Sequence, residues 1–152
     1  MTRPVLRSAT PADLPALAAL LAEAKLPLEG VAEHLGAFLV VADGAEVLAT
    51  AGVELYGRQA LLRSVAVTPA LRGTGLGGTM IEAALDLARD RGADAVTLLT
   101  TTAAGYFTRF GFEPIDQASA PAPVRQSTQF NGICPASAVA MHLVFKPTQV
   151  TS

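Results

Sequence analysis

Residues 61–92, LLRSVAVTPALRGTGLGGTMIEAALDLARDRG, decide how the rest of the chain is read. The stretch opens with an alternating, β-branched run over residues 61–67, crosses Thr68-Pro69, and passes through the glycine-dense segment Arg72-Gly73-Thr74-Gly75-Leu76-Gly77-Gly78. It continues into an amphipathic helix in which Met80, Ile81, Ala84, Leu85 and Ala88 share a face and Arg91-Gly92 supplies the end. The spacing therefore predicts strand, loop, helix. Glycines let main-chain N–H groups approach a ligand closely, and the free donors and dipole of a helix N-terminus favour an anion. Arg72 adds a positive side chain at the mouth, so a phosphorylated ligand is the first expectation.

Two common phosphate loops do not fit. A Walker loop needs a Lys just before its Ser or Thr, and Gly78 precedes Thr79 with no Lys in the helix. Gly73, Gly75 and Gly78 match the spacing of a dinucleotide fingerprint, but the loop lies too far from the end of its strand and no acidic residue ends the next one. Working upstream, residues 38–42 and 46–55 read as strands joined at Asp43-Gly44, and a turn at 56–58 leads into residue 61. That is an antiparallel meander, which places the glycine loop late in the fold. Thr10-Pro11-Ala12-Asp13 starts a first helix that runs to about Lys25, and residues 31–35 are expected to form a short second one. Downstream, residues 96–100 are an apolar strand parallel to 61–67, as a crossover helix requires. A short helix over 103–110, a proline-rich loop over 114–135 with a turn near 127–130, and a last strand over 139–145 complete the chain.

Length and composition suit one domain over residues 1–152, with 51% hydrophobic and 16% charged residues. A net charge of −2 gives no general basic surface for nucleic acid. Cys134 is the only cysteine, so no intrachain disulfide can form, and a cytoplasmic setting without membrane anchoring is expected. With two histidines and one cysteine, no metal site is expected, and Cys134 is read as a packed thiol.

The remaining reading of the loop is Arg72-x-x-Gly75-x-Gly77 after a strand ending in Val67-x-Pro69, which resembles the acyl-CoA diphosphate loop of the GNAT N-acetyltransferase superfamily. The whole element order is similar to that fold. Residues 26–35 (LPLEGVAEHL), 63–67 (RSVAV), 98–112 (LLTTTAAGYFTRFGF) and 134–141 (CPASAVAM) further resemble the small acetyltransferases of arsenic-resistance operons. The resemblance implies an α/β (α+β) GNAT fold, with an antiparallel meander followed by a parallel βαβ unit whose strands splay at the acyl-CoA site. It implies an enzyme that moves an acetyl group from acetyl-CoA to a primary amine of a small amino-acid-like acceptor, including arsenic- or phosphorus-containing glutamate analogues. The acyl-pantetheine arm would lie along the main chain of Val65, Ala66 and Val67, and the diphosphate on Arg72, Gly73, Thr74, Gly75, Leu76 and Gly77. Monomer and homodimer remain equally open.

The chemistry needs an unprotonated amine, a stabilised oxyanion and a proton for the departing thiolate. An α-amino group near 8 is about a tenth neutral at pH 7, so a weak base suffices, through a water chain to Glu54 or Glu29. Many GNAT enzymes carry a tyrosine four residues before the final Gly-Phe glycine; here that position is Phe107, which has no proton to give, and Tyr106 points about 100° away on a helix. Arg63 either faces the cleft, where its fork suits a substrate carboxylate, or faces away as an ion pair. Glu29 is the second candidate substrate contact. The rival readings are a polyamine or protein N-terminus as acceptor, the former disfavoured by the few acids, and an acyl-CoA-binding module without catalysis.

Overall fold

The computed structural model describes residues 4–131 and 137–145. Seven strands form one sheet in the order β1-β2-β3-β4-β5-β7-β6. They are β1 Val5–Ser8, β2 Phe38–Asp43, β3 Glu46–Tyr56, β4 Gln59–Val67, β5 Ala95–Thr100, β6 Glu113–Ile115 and β7 Val139–Val144. Strands β1 to β4 pair antiparallel, β4 and β5 run parallel, and β5, β7 and β6 pair antiparallel again. The helices are α1 Leu14–Glu23, α2 Leu76–Asp90 and the single turn α3 Ala104–Phe107.

The two long helices cover opposite faces. Helix α2 buries Met80, Ile81, Ala84 and Ala88 against Ala51, Val53, Leu62, Val96 and Leu98, and sealing side chains the size of Met80 and Ile81 from water is worth about 1.5–3 kcal/mol each. Helix α1 buries Leu17, Leu20 and Leu21 against Phe38, Val40 and Val47. Alternation along β2 assigns successive residues to the two clusters, as a strand between two layers must. A smaller cluster of Leu61, Ala120 and Val124 fastens the proline-rich segment onto the face that carries α1 at its other end.

The parallel pair β4–β5 does not extend along both strands. Only Gln59, Ala60 and Leu61 pair, with Ala95, Val96 and Thr97. On its other side β5 continues to pair with β7 up to Thr100. A cause lies within β4. Arg63 faces Gly52 and Ala66 faces Thr50, so Ser64 and Val65 stand opposite Ala51 alone. That extra residue is a β-bulge, with Ser64 in the left-handed region at φ +59°, and bulges bend and twist the strand that carries them. The sheet consequently opens along one seam.

The expected second helix over 31–35 is a correction: these residues form hydrogen-bonded turns ending in a 3-10 turn at Leu35–Ala37. Val31 N–H bonds back to Leu28 and His34 N–H to Gly30, while burial of Val31 and Leu35 against α1 fixes the path. The expected helix over 103–110 is α3 followed by a 3-10 turn, Thr108–Phe110, closed by Gly111 at φ +96°. Residues 114 and 115, expected to begin the proline-rich loop, join Glu113 in β6; Pro114 is accommodated because β6 is an edge strand. The expected turn near 127–130 is the 3-10 turn Thr128–Phe130, capped by the Ser127 hydroxyl accepting from Gln129 N–H at 3.1 Å. Cys134 lies outside the described residues. Among the described residues no helix is long and apolar enough to cross a membrane, and no group of three His, Cys, Asp or Glu side chains is placed to hold a metal ion.

Candidate active site

The glycine loop has the geometry of an anion cradle. After a 3-10 turn at Pro69–Leu71, Gly73 and Gly75 take φ +82° and +88°, and Gly75 is the N-cap of α2. No side chain caps that helix, so its first-turn N–H groups stay free to donate outward. A cavity of 450 Å³ sits over them, lined by Val67, Arg72, Gly75, Gly77, Tyr106 and Arg109 among others. Arg72 is already engaged: its Nε donates to the Val67 carbonyl at 3.1 Å and its Nη2 to Glu23 Oε2 at 2.7 Å.

A second, larger cavity of 580 Å³ fills the seam. Residues 62–65 of β4 form one wall and residues 98–102 after the β4–β5 pairing the other, with Ala103, Tyr106 and Phe107 closing one end and residues 24–27 with Gln129 and Ala138 bordering the opening. Tyr106 borders both cavities. Its hydroxyl lies 3.4 Å from where a Cβ on Gly77 would stand, so the phenol reaches the start of α2. Phe107 is buried, edge-on to Tyr106 at 5.8 Å and to Phe112 at 6.0 Å between ring centroids.

Behind the wall formed by β4 lies a buried polar cluster. Glu54 and Arg63, each with a side chain 1% exposed, pair at 2.7 Å. Arg63 also donates from Nη2 to the Pro27 carbonyl at 3.1 Å and from Nε to the Ser64 hydroxyl at 3.0 Å. Glu54 Oε1 accepts from the Tyr56 hydroxyl and lies 3.6 Å from His34 Nε2. Burial pushes the Glu54 carboxyl up, but hydrogen bonds from Tyr56, Ser127 and Arg63 and the nearby His34 outweigh it and hold the group below its ordinary value. The Tyr56 hydroxyl is pushed up to about 12 by burial and by its bond to Glu54. Glu54 is therefore an anion at neutral pH and Tyr56 a proton donor. The close packing also reaches Gly30, at φ +86°, where a Cβ would stand 2.7 Å from Arg63 Nη1.

A family description, acetyltransferase (GNAT) domain, matches residues 34–114, the stretch from the meander through the cradle to β6. The chain belongs to the GNAT acetyltransferase family. A curated relative, an uncharacterised N-acetyltransferase of Chlorobaculum tepidum, is 29% identical over 98 residues, covering 64% of this chain and 63% of its own length, so the chain spans less than two thirds of that relative. Among solved structures, a Mycobacterium tuberculosis protein, Rv2747, in complex with CoA and NLQ superposes with a TM-score of 0.74 at 25% identity, covering 94% of this chain and all of that one. The N-acetylglutamate synthase of Neisseria gonorrhoeae complexed with CoA and N-acetyl-glutamate gives 0.79 at 20% identity over 97% of this chain and 36% of its own, a likeness of fold. The splayed parallel pair and the helix-capping glycine loop are thus found in a GNAT frame.

Within that GNAT frame the residues singled out from sequence fall into three groups. Val65, Val67, Arg72, Gly73, Gly75, Gly77 and Phe107 border the two cavities, whereas Thr74 and Leu76 lie outside both linings and Ala66 is buried in the cluster under α1. Glu54 and Arg63 meet each other; Arg63 borders the larger cavity and Glu54 does not. Glu29 is exposed and outside both linings, with its carbonyl receiving the Thr128 hydroxyl at 3.4 Å. Sequence reasoning missed Tyr56, Ser64, Ser127 and Lys25. Tyr56 was within reach of it, two residues from Glu54 on one strand face; Ser127 and the backbone conformations of Lys25 and Ser64 carry no signal in the pattern.

Proposed function

We propose that this GNAT chain is an acetyl-CoA-dependent N-acetyltransferase acting on the primary amine of a small amino-acid-like acceptor, with arsenic- or phosphorus-containing glutamate analogues within that class. The observation that carries it is that the seam cavity and the cradle at the start of α2 are neighbours, with Tyr106 lining both. The residues fit such a co-substrate. Main-chain N–H groups of Gly75, Leu76 and Gly77, with Arg72, Gly73 and Thr74 around them, would hold the diphosphate, and the β4 edge at Val65, Ala66 and Val67, unpaired toward β5, would take the pantetheine amides as an added strand. Phe107 would supply an apolar floor for the acyl end. The solved GNAT relatives that carry CoA with N-acetyl-glutamate or NLQ support the class of co-substrate and acceptor.

Acetyl-CoA supplies the activated thioester, and the acceptor nitrogen displaces the thiol while losing a proton. Glu54 is the proposed remote proton acceptor, reached through water or through His34, whose side chain is 27% exposed and links the buried carboxylate to solvent. A weak base suffices for an α-amino group, and a thiol near 8.5 leaves without a strong acid. The test combines calorimetry with thiol release over a panel of amines. Acetyl-CoA binding, its weakening by tenfold or more in Arg72→Glu, and turnover of amino acids are expected. No binding, with no effect of the substitution, overturns the reading. The second reading, a GNAT module that binds acyl-CoA without catalysis, is favoured by Phe107 at the usual acid position and would be the conclusion from tight binding without turnover.

A further inference from the structure

Only two non-glycine residues among those described have a left-handed backbone, Lys25 at φ +59° and Ser64 at φ +59°, and both line the seam cavity. Such a conformation costs a residue with a Cβ about 1–2 kcal/mol, so it persists where something fixes it or uses it. Ser64 is accounted for by the bulge and by the hydrogen bond it accepts from Arg63. Lys25 is not. It follows the last turn of α1, where its N–H bonds to the Ala22 carbonyl at 3.1 Å and the Leu26 N–H reaches back to Leu21 at 2.9 Å. Helix ends of this kind ordinarily place glycine at that position.

Lys25 is exposed and borders the seam cavity. The described lining of the cavity contains no Asp or Glu and two cations, Lys25 and Arg63. Arg63 has its charge matched: its side chain is 1% exposed and pairs with Glu54 at 2.7 Å, while its other two nitrogens bond the Pro27 carbonyl and Ser64. Lys25 has no carboxylate within ion-pair distance among the described residues. An uncompensated cation at the mouth of a cavity without acids attracts an anionic ligand and repels a cationic one.

We propose that Lys25, held in a left-handed turn at the end of α1, is a specificity-determining residue that pairs with a carboxylate of the acceptor. The proposal deepens the N-acetyltransferase reading and rests on it for the word acceptor. It assigns the role of anion partner to Lys25 in place of Arg63, and it makes diamines and polyamines poor substrates.

The decisive variant is Lys25→Gly, because glycine suits the left-handed backbone and removes only the side chain. Its Tm is expected to equal or exceed that of the wild type, and its acetyl-CoA affinity to be unchanged. The kcat/KM of wild type and variant is measured for glutamate, glutamine and isoglutamine; each amide neutralises one carboxylate, and comparing ratios between proteins cancels differences in amine basicity. Wild type should favour glutamate over at least one monoamide by roughly tenfold, the size of a charge-assisted contact, and Lys25→Gly should bring that ratio near one, chiefly through KM. Lys25→Gln serves as a second variant with the stem retained. Unchanged ratios in both variants overturn the proposal. If no amine turns over, calorimetry with N-acetylglutamate and N-acetylglutamine in the presence of CoA decides: discrimination that depends on Lys25 sustains the carboxylate site while the transferase reading falls, and binding that is absent or indifferent to Lys25 removes the site as well.

Discussion

At the scale of single residues, the Glu54–Arg63 pair sets the strictest constraint. Both side chains are buried, and each is the main compensation for the other's charge. Removing one partner leaves an ion stranded in the interior, which costs about 3–5 kcal/mol. Arg63→Met and Glu54→Gln are each expected to lower the unfolding free energy from urea titration by an amount of that order, and the double variant to cost clearly less than the two single losses added together. Equal additivity would show that the pair is not coupled. Gly30 reports on the same place from outside. A Cβ there meets Arg63 Nη1 at 2.7 Å on a backbone at φ +86°, so Gly30→Ala should destabilise by about 1–3 kcal/mol. Because Arg63 also anchors the Pro27 carbonyl at the cavity border, the same variant should raise the KM for the amine more than the KM for acetyl-CoA in initial-rate measurements.

At the scale of elements, α2 and its loop carry the cofactor prediction. Gly75 holds φ +88° with open space around it, so Gly75→Ala meets backbone strain alone. About 1 kcal/mol of stability and roughly tenfold in CoA affinity by calorimetry are the expected losses, since the first-turn N–H groups are re-aimed when the cap relaxes. This element was fully legible in sequence: the β-branched run, the glycines and the apolar stripe each have a local physical cause. The hairpin at Gly44 was legible for the same reason, with its left-handed φ of +62°. The turns over residues 31–35 were not, because helical spacing of Val31 and Leu35 is also what a chain of turns pressed onto α1 displays. β6 escaped notice because Pro114 argues against a strand unless the strand is known to be an edge. The pairing of Glu54 with Arg63 was within reach of strand alternation, but their burial under Ser127, more than sixty positions away in the chain, depends on how the proline-rich segment folds back.

For the molecule as a whole, two carboxylates govern the response to acid. Asp13, bonded by both Arg7 nitrogens at 2.7 and 2.9 Å and by Thr10 N–H at 2.7 Å, is held well below the usual carboxylate range. Glu54 is shifted in the same direction. A carboxyl whose folded value is depressed contributes stability above its unfolded value, near 4, and that contribution is lost as pH falls through the folded value. Burial also lowers the His142 imidazole from its ordinary value, so the unfolded chain takes up that proton first; stability by urea titration should begin to fall below about pH 6.5 and fall more steeply below about 4, and Asp13→Asn should be less stable than wild type at pH 7 with the gap closing in acid. The seam has a consequence of its own. Strands β1 to β4 make one half-sheet and β5, β7 and β6 the other, stitched by three residue pairs and bridged by α2. A guest lodged there would behave like mortar between two bricks, so those amides of residues 62–67 that point toward β5 rather than toward β3 should swap their hydrogens for deuterium quickly in the free protein and slowly once CoA is added, and the two halves should stiffen together.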